Sequence, residues 1–284
     1  MSEGRDAELI RAIGDAFDAR LLEVHSDPDH HRSVFTLAGE PGRVAPSVLN
    51  GARAAIARID MRRQEGVHPR VGAIDVAPIV YLDDAARGAA CAEALVLADL
   101  LADELEVPAF LYGALAEGRT RAEIRRGGPA ELARRIAAGE LTPDFGPRRM
   151  HETAGAVLVA ARPPLVAFNV ELAPPATLEQ AREVAALIRE GGADGLAGVR
   201  AIGLRLEQGG IAQVSTNVED HRRTTLADVV AAVRRHAPVA AAELVGLAPR
   251  AAFEGFPDDV PVPGFDPARH LIEAALAAAS PSGA

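Results

Sequence analysis

Residues 60–75 read D-M-R-R-Q-E-G-V-H-P-R-V-G-A-I-D and hold one imidazole, His68, among arginines and carboxylates. An imidazole titrates near neutral pH, so His68 can take a proton and return it, which is general acid/base work. Pro69 restricts His68 to extended backbone. Gly66 and Gly72 let a ligand come close to the main chain. The plain alternative is a surface loop with a lone histidine.

A second polar stretch runs His25-Ser26-Asp27-Pro28-Asp29-His30-His31-Arg32. Its imidazoles and carboxylates are zinc-type ligands, so a metal-dependent hydrolase built on His25, Asp27, Asp29, His30 and His31 is one reading. The other is a solvated turn in which Asp27 and Asp29 accept from backbone N–H groups. Neighbouring residues rarely converge on one ion, and the stretch lacks a helical i, i+4 histidine pair, so the spacing favours the turn and no metal is expected. A third stretch, Pro143 through Gly155 (P-D-F-G-P-R-R-M-H-E-T-A-G), sets Arg148 and Arg149 in a loop stiffened by proline. An arginine fork bonds both oxygens of a carboxylate. The remaining histidines read as structural: His221 lies in a charged run, His236 at a helix C-terminus where it favours the dipole, and His270 on a helix surface.

Composition narrows the chemistry further. The 284 residues include 30 basic ones, and every one is arginine. Without lysine there is no P-loop, no pyridoxal or Schiff-base enzyme and no kinase strand lysine. A net charge of −10 argues against a nucleic-acid-binding face. The single cysteine, Cys91, excludes a disulfide framework within the chain and reads as core filler. No apolar stretch is long enough to cross a membrane and the start is not a signal peptide, so a cytoplasmic protein is expected.

These residues need a scaffold. Helical spacing covers Asp6–Phe17, Pro46–Ile59 and Ala85–Leu105, with Arg-rich helical pieces over 119–139 broken at Gly127-Gly128-Pro129. Strands are expected at Leu21–His25, Arg32–Ala38, Val71–Leu82 and Ala109–Tyr112. Two apolar runs within Val157–Leu172 are split by Arg162-Pro163-Pro164, and the pattern then restarts. A helix (Leu178–Arg189), a hairpin-like pair (Val199–Leu206, Ile211–Val218), a helix (Leu226–His236), a strand (Val239–Val245) and a last helix (Pro267–Ala279) follow. The mixture implies an α+β fold with mixed or antiparallel sheets. The glycine turns form no dinucleotide-binding fingerprint.

Several motifs occur together in order: Arg5-Asp6, Arg32-Ser33-Val34-Phe35-Thr36, Asp60-Met61, Gly66 through Asp75, and Pro143-Asp144-Phe145-Gly146-Pro147. Phe168-Asn169-Val170, Gln213-Val214-Ser215-Thr216-Asn217 and Glu243-Leu244-Val245-Gly246-Leu247 continue the series. Together they resemble the formiminotransferase domain family over nearly the whole chain. H-P-R-x-G-A-x-D and P-D-F-G-P are the specific elements. The resemblance implies two α/β-sandwich subdomains with mixed sheets, residues 1–164 and 165–284, and a substrate tunnel between them. It implies transfer of a formimino group from N-formiminoglutamate to tetrahydrofolate, giving 5-formiminotetrahydrofolate and glutamate, within histidine breakdown. Tetrahydrofolate is then the co-substrate, no other cofactor is needed, and a homodimer is implied.

The family's catalytic histidine falls on His68. Its folate-binding loop falls on Gly146, Pro147, Arg148, Arg149, Met150, His151, Glu152, Thr153, Ala154 and Gly155. Asp75 and His25 are candidates to orient or assist His68, and Arg32, Arg70, Arg148 and Arg149 to hold anionic groups. Three departures stand out. Relatives carry a short V-P-N-F strand before S-E-G-R, where Met1 precedes Ser2 here; either the start codon is placed late or the first sheet lacks a strand. An aspartate that assists catalysis in animal relatives aligns with His25, a base of different charge. The family's N-R-T is His31-Arg32-Ser33. The cyclodeaminase fused to the domain in animals is not expected here. A non-catalytic folate-binding homologue is the remaining alternative to the transferase and the hydrolase.

Overall fold

From Met1 to Arg162 the chain forms one compact unit. It runs α1 (Ala7–Asp15), β1 (Arg20–Asp27), β2 (Arg32–Ala38), α2 (Val44–Ile56), β3 (Asp75–Val80), α3 (Arg87–Leu105), β4 (Ala109–Leu111), α4 (Arg121–Arg125), α5 (Gly128–Ala137) and β5 (Val157–Arg162). The computed structural model describes residues 1–65, 69–207 and 209–279.

β5 is the middle of a three-stranded parallel sheet of order β3-β5-β4. Its run V-L-V-A-A has no polar alternation because both of its faces are covered. Val157, Val159 and Ala161 share a core with Ala94, Leu97 and Leu101 of α3. Leu158 and Ala160 share another with Ile124 of α4 and Leu132 and Ile136 of α5. β1 and β2 form a separate antiparallel pair. Local signals start the helices. Asp6 accepts from Leu9 N at 2.9 Å at the head of α1, and Thr120 and Glu123 make a reciprocal capping box at the head of α4.

The cap of α2 comes from far away. Glu93 of α3, 7 % exposed, accepts from Gly42 N and, at 2.7 Å, from Ala45 N. A carboxylate there satisfies orphan donors and meets the positive end of the helix dipole. Glu93→Ala should lower unfolding free energy by about 1–2 kcal/mol, read from the urea midpoint. A midpoint equal to that of the unsubstituted protein would contradict this role.

The second compact unit begins at Pro163. It contains β6 (Val166–Leu172), α6 (Leu178–Ile188), β7 (Val199–Arg205), β8 (Ala212–Val218), α7 (Leu226–Arg234), β9 (Val239–Val245), α8 (Pro267–His270) and α9 (Ile272–Ala279). Its four strands form an antiparallel sheet of order β7-β8-β6-β9. Here the sequences do alternate. Val166, Phe168, Val170 and Leu172 face a core shared with α6 and α7, while Ala167, Asn169 and Glu171 fall on the opposite face. Parallel and antiparallel pairing thus both occur, as an α+β fold requires. Among the described residues no helix is long and apolar enough to cross a membrane.

Several element boundaries differ from the sequence expectation, two of them for a visible reason. Strand β3 starts at Asp75 rather than Val71, because residues 71–74 bond to residue 2 and to residues 154–156 instead of joining the sheet. The last helix is broken at Leu271, which is extended (φ −89°, ψ 129°). Leu271 makes a parallel bridge to Ala248, with Ile272 N donating to Ala248 O at 2.9 Å. Apolar periodicity runs through this break and cannot reveal it.

Candidate active site

Residues 60–75 leave α2, pass a turn and enter β3. Ile59, 1 % exposed, anchors the start. Asp60 takes the Arg62 backbone N–H at 3.0 Å and its guanidinium at 2.7–3.1 Å. The Arg62 guanidinium holds the Asp60 carboxyl down at about 2. Met61 N donates to Thr153 O at 2.8 Å, and Arg62 bonds Glu152 at 2.8 Å. The first half of this loop is therefore tied to the end of the Gly146–Gly155 loop.

The second half is tied there as well. Ala73 N donates to Ala154 O at 2.9 Å, and Ala156 N to Val71 O at 3.0 Å. Gly72 and Gly155 form an antiparallel bridge. Both must be glycine. A Cβ on Gly72 would lie 2.0 Å from Ala156 O, and one on Gly155, at φ +72°, would lie 2.2 Å from Val71 O. Ser2 covers the crossing, its N donating to Ala73 O at 2.7 Å and its Oγ to Gly72 O at 2.7 Å. His151 closes a tight turn: its Nδ1 accepts from Thr153 N and Ala154 N, so its ring proton sits on Nε2. His68, with Gly66 and Val67, lies outside the described residues.

Asp75 ends the crossing. Its φ of +63° is in the left-handed region, an unusual place for a non-glycine residue that tertiary contacts must hold. The carboxylate is 3 % exposed. It accepts from Val71 N at 2.9 Å and pairs with the Arg125 guanidinium from α4. Arg32, at the start of β2, and Arg70 line one small recess with Asp75, Met1, Ser2, His30 and His31. Burial, opposed by Asp75 and reinforced by repulsion from Arg125, Arg121 and Arg70, pulls Arg32 below the usual arginine range. Burial does the same to Arg70. The terminal nitrogens of Arg70 are buried without a hydrogen-bond partner among the described residues. Among the described residues, the guanidinium groups of Arg32 and Arg70 line the recess beside the Asp75 carboxylate, in a space too tight for a water molecule.

The structure brings Arg32, Arg70 and Asp75 to one recess, with Arg125 paired to Asp75 and Arg121 close enough to act on Arg32. The capping box of α4 is legible in T-R-A-E, but where its arginines point is not. Arg148 and Arg149 are exposed and do not line the recess; Arg149 pairs with Glu106 at 3.6 Å. His25 sits in β1 opposite Val34 and does not line the recess either.

The histidine-rich turn is occupied by its own contacts. Asp27 accepts from Asp29 N and His30 N at 2.7 and 2.9 Å, and the His30 ring meets it at 2.5 Å. Burial pushes the Asp27 carboxyl up, but these bonds together outweigh it and leave it below its ordinary value. Among the described residues no three His, Cys, Asp or Glu side chains group as metal ligands. His31 has a role that spacing did not show. Its Nδ1 meets Glu65 O at 2.6 Å and its Nε2 meets Glu3 Oε1 at 3.1 Å. Both partners are acceptors, so the two bonds form together only when both ring nitrogens carry protons.

Glu3 also accepts from Gly4, Arg5 and Asp6 N–H groups. Burial raises its pKa, but the backbone donors and His31 together carry it below 4.5. A depressed carboxyl contributes stability that is complete above its unfolded value and lost as pH falls through its folded one. Glu3→Gln should therefore unfold less steeply between pH 5 and 3 than the unsubstituted protein, to an extent of about 1 kcal/mol. Parallel acid titrations followed by circular dichroism check this.

The chain matches the family model described as "Formiminotransferase domain, N-terminal subdomain" over residues 1–162 and that described as "Formiminotransferase domain" over residues 167–255. It is 40 % identical over 270 residues to the formimidoyltransferase-cyclodeaminase of Sus scrofa, covering 87 % of this chain and 49 % of that protein. It is 35 % identical over 237 residues to the glutamate formimidoyltransferase of Streptococcus pyogenes serotype M1, covering 81 % of this chain and 79 % of that one. To the glutamate formimidoyltransferase of Thermoplasma acidophilum it is 32 % identical over 266 residues, covering 88 % and 86 %. The chain thus spans about half the length of its cyclodeaminase-fused relatives and most of the length of the other two.

Proposed function

We propose, since the chain belongs to the formiminotransferase domain family, that it transfers the formimino group of N-formiminoglutamate to N5 of tetrahydrofolate. The folate N5 amine attacks the amidine carbon, a tetrahedral intermediate forms, and the C–N bond to glutamate breaks. N5 gives up a proton and the departing glutamate nitrogen gains one, so the products are 5-formiminotetrahydrofolate and glutamate. His68 carries that proton in both directions. The family matches over residues 1–162 and 167–255 support this reading most directly, with the glutamate formimidoyltransferases among the relatives. The loop Gly146–Gly155 takes the folate.

Asp75 acts in this scheme as a positioning residue, holding Arg125 and the backbone of Val71. Tetrahydrofolate is a co-substrate and the chemistry needs no metal. A cytoplasmic homodimer belongs to the same reading, and light scattering checks the assembly. The purified chain should convert formiminoglutamate and tetrahydrofolate to 5-formiminotetrahydrofolate, followed by product chromatography. Absence of product with both substrates saturating would overturn the proposal.

A further inference from the structure

His31 takes no part in the chemistry above, yet both ends of its ring are fixed. The residue is 9 % exposed, and its φ of +48° lies in the left-handed region, uncommon for a residue that carries a side chain. Nδ1 meets Glu65 O at 2.6 Å and Nε2 meets Glu3 Oε1 at 3.1 Å. A peptide carbonyl accepts and cannot donate. Glu3 Oε1 already takes the N–H groups of Gly4, Arg5 and Asp6, so it is an acceptor too. The ring must give a proton at each end, as only an imidazolium can.

The two ends of this tie differ. Glu3 is a fixed post. Three backbone donors hold its carboxylate, and its carbonyl takes Ser33 Oγ at 2.6 Å. Gly4 beside it lies so close to the β1–β2 turn that a Cβ there would stand 2.2 Å from Asp27 O. Glu65 is exposed and lies three residues before His68. The loop that leads to it is bonded at its start, with Met61 N on Thr153 O and Arg63 N on Asp60 O at 3.0 Å. His31 holds the next part of the main chain, at the Glu65 carbonyl.

We infer that His31 is a positioning residue for the proposed reaction: as an imidazolium it fixes the stem of the loop that carries His68, so turnover depends on the charge of a ring that touches no substrate. The inference rests on the assignment of His68 made above. Histidine is the side chain that ordinarily changes charge between pH 5 and 8. While the ring is charged, both bonds are made. When pH rises and one proton leaves, a bare ring nitrogen faces an acceptor, and either Glu65 or Glu3 is released. Groups of both signs share the recess with the ring: the carboxylates of Glu3 and Asp75, and the Met1 amine, His30, Arg32 and Arg70. Glu65 adds an exposed carboxylate.

The test joins the spectrum of the ring to kinetics, on the full chain. Nitrogen-15 NMR of histidine-labelled protein, with His31 assigned by its loss in His31→Asn, reports the proton on each ring nitrogen. Both should be protonated wherever kcat is at its plateau, and kcat should fall as the second proton leaves. His31→Phe donates to neither partner and should lower kcat by about 10-fold, the scale of a lost hydrogen bond to a charged group, with each KM within a few-fold. His31→Asn tolerates the left-handed backbone and donates from an amide that does not titrate. It should restore most of the rate and lack the limb that follows the ring. Deuterium exchange of residues 61–63, corrected for its intrinsic pH dependence, should quicken with the same titration in the unsubstituted protein and not in His31→Asn. A neutral ring at the kcat plateau would overturn the inference, and so would a His31→Asn variant that keeps the unsubstituted pH profile. If the unsubstituted protein shows no turnover, the reaction itself fails and the inference with it; turnover accompanied by either of those two results sinks only the role of His31.

Discussion

Replacing His68 with alanine lowers turnover by at least about 100-fold while leaving the KM for each substrate within a few-fold, the signature of a lost general acid/base. The reaction asks one group to remove a proton from N5 and deliver one to the departing nitrogen, so its loss falls on kcat. The pH profile discriminates further. The limb of the kcat/KM curve that belongs to the imidazole should vanish in His68→Ala, whereas a variant that merely disturbs the loop keeps its shape at a lower rate. Unimpaired turnover would transfer the proton work to another ring.

The second large effect is on stability. Asp75→Ala should cost about 3–5 kcal/mol, the usual penalty for removing one partner of a buried ion pair. The loss has three sources. The Arg125 guanidinium is left uncompensated with 13 % of its side chain exposed, Val71 N loses its acceptor, and Arg32 and Arg70 lose a carboxylate that offsets their burial. For a chain of this size the melting temperature should drop by about 10 °C. Asp75→Asn separates charge from geometry. Asparagine tolerates the left-handed backbone and keeps an oxygen for Val71, so this variant should be less destabilised than Asp75→Ala. Differential scanning calorimetry on both decides the matter; an alanine variant that melts with the unsubstituted protein would show that the recess does not depend on its carboxylate.

Local elements were readable because their causes are local. The apolar run of β5, the alternation of β6 and the caps at Asp6 and Thr120 all lie within a few residues of what they determine. The recess was half readable. Arg32 and Arg70 sit in recognisable motifs, but Arg125 meets Asp75 across 50 positions of sequence, and a five-residue helix gives no pattern from which its direction follows. The histidine-rich turn shows the converse. Its composition suits a metal site, but the rings of His30 and His31 are engaged by contacts that composition does not encode, such as the reach of His31 to Glu65.

The crossing of Gly72 and Gly155 has a consequence for how the site comes into being. Its bonds join the start of the chain, the middle of the first unit and the segment just before β5. Contacts so distant in sequence are entropically costly to close and form slowly. During synthesis the helices α1, α2 and α3 can gather as soon as they emerge, but the Val71 carbonyl does not meet the Ala156 N–H until Ala156 has been made. The crossing is thus a late product of folding, closed on a scaffold that already stands. A chain halted before that point would hold the helices of its first unit without the crossing that closes the recess.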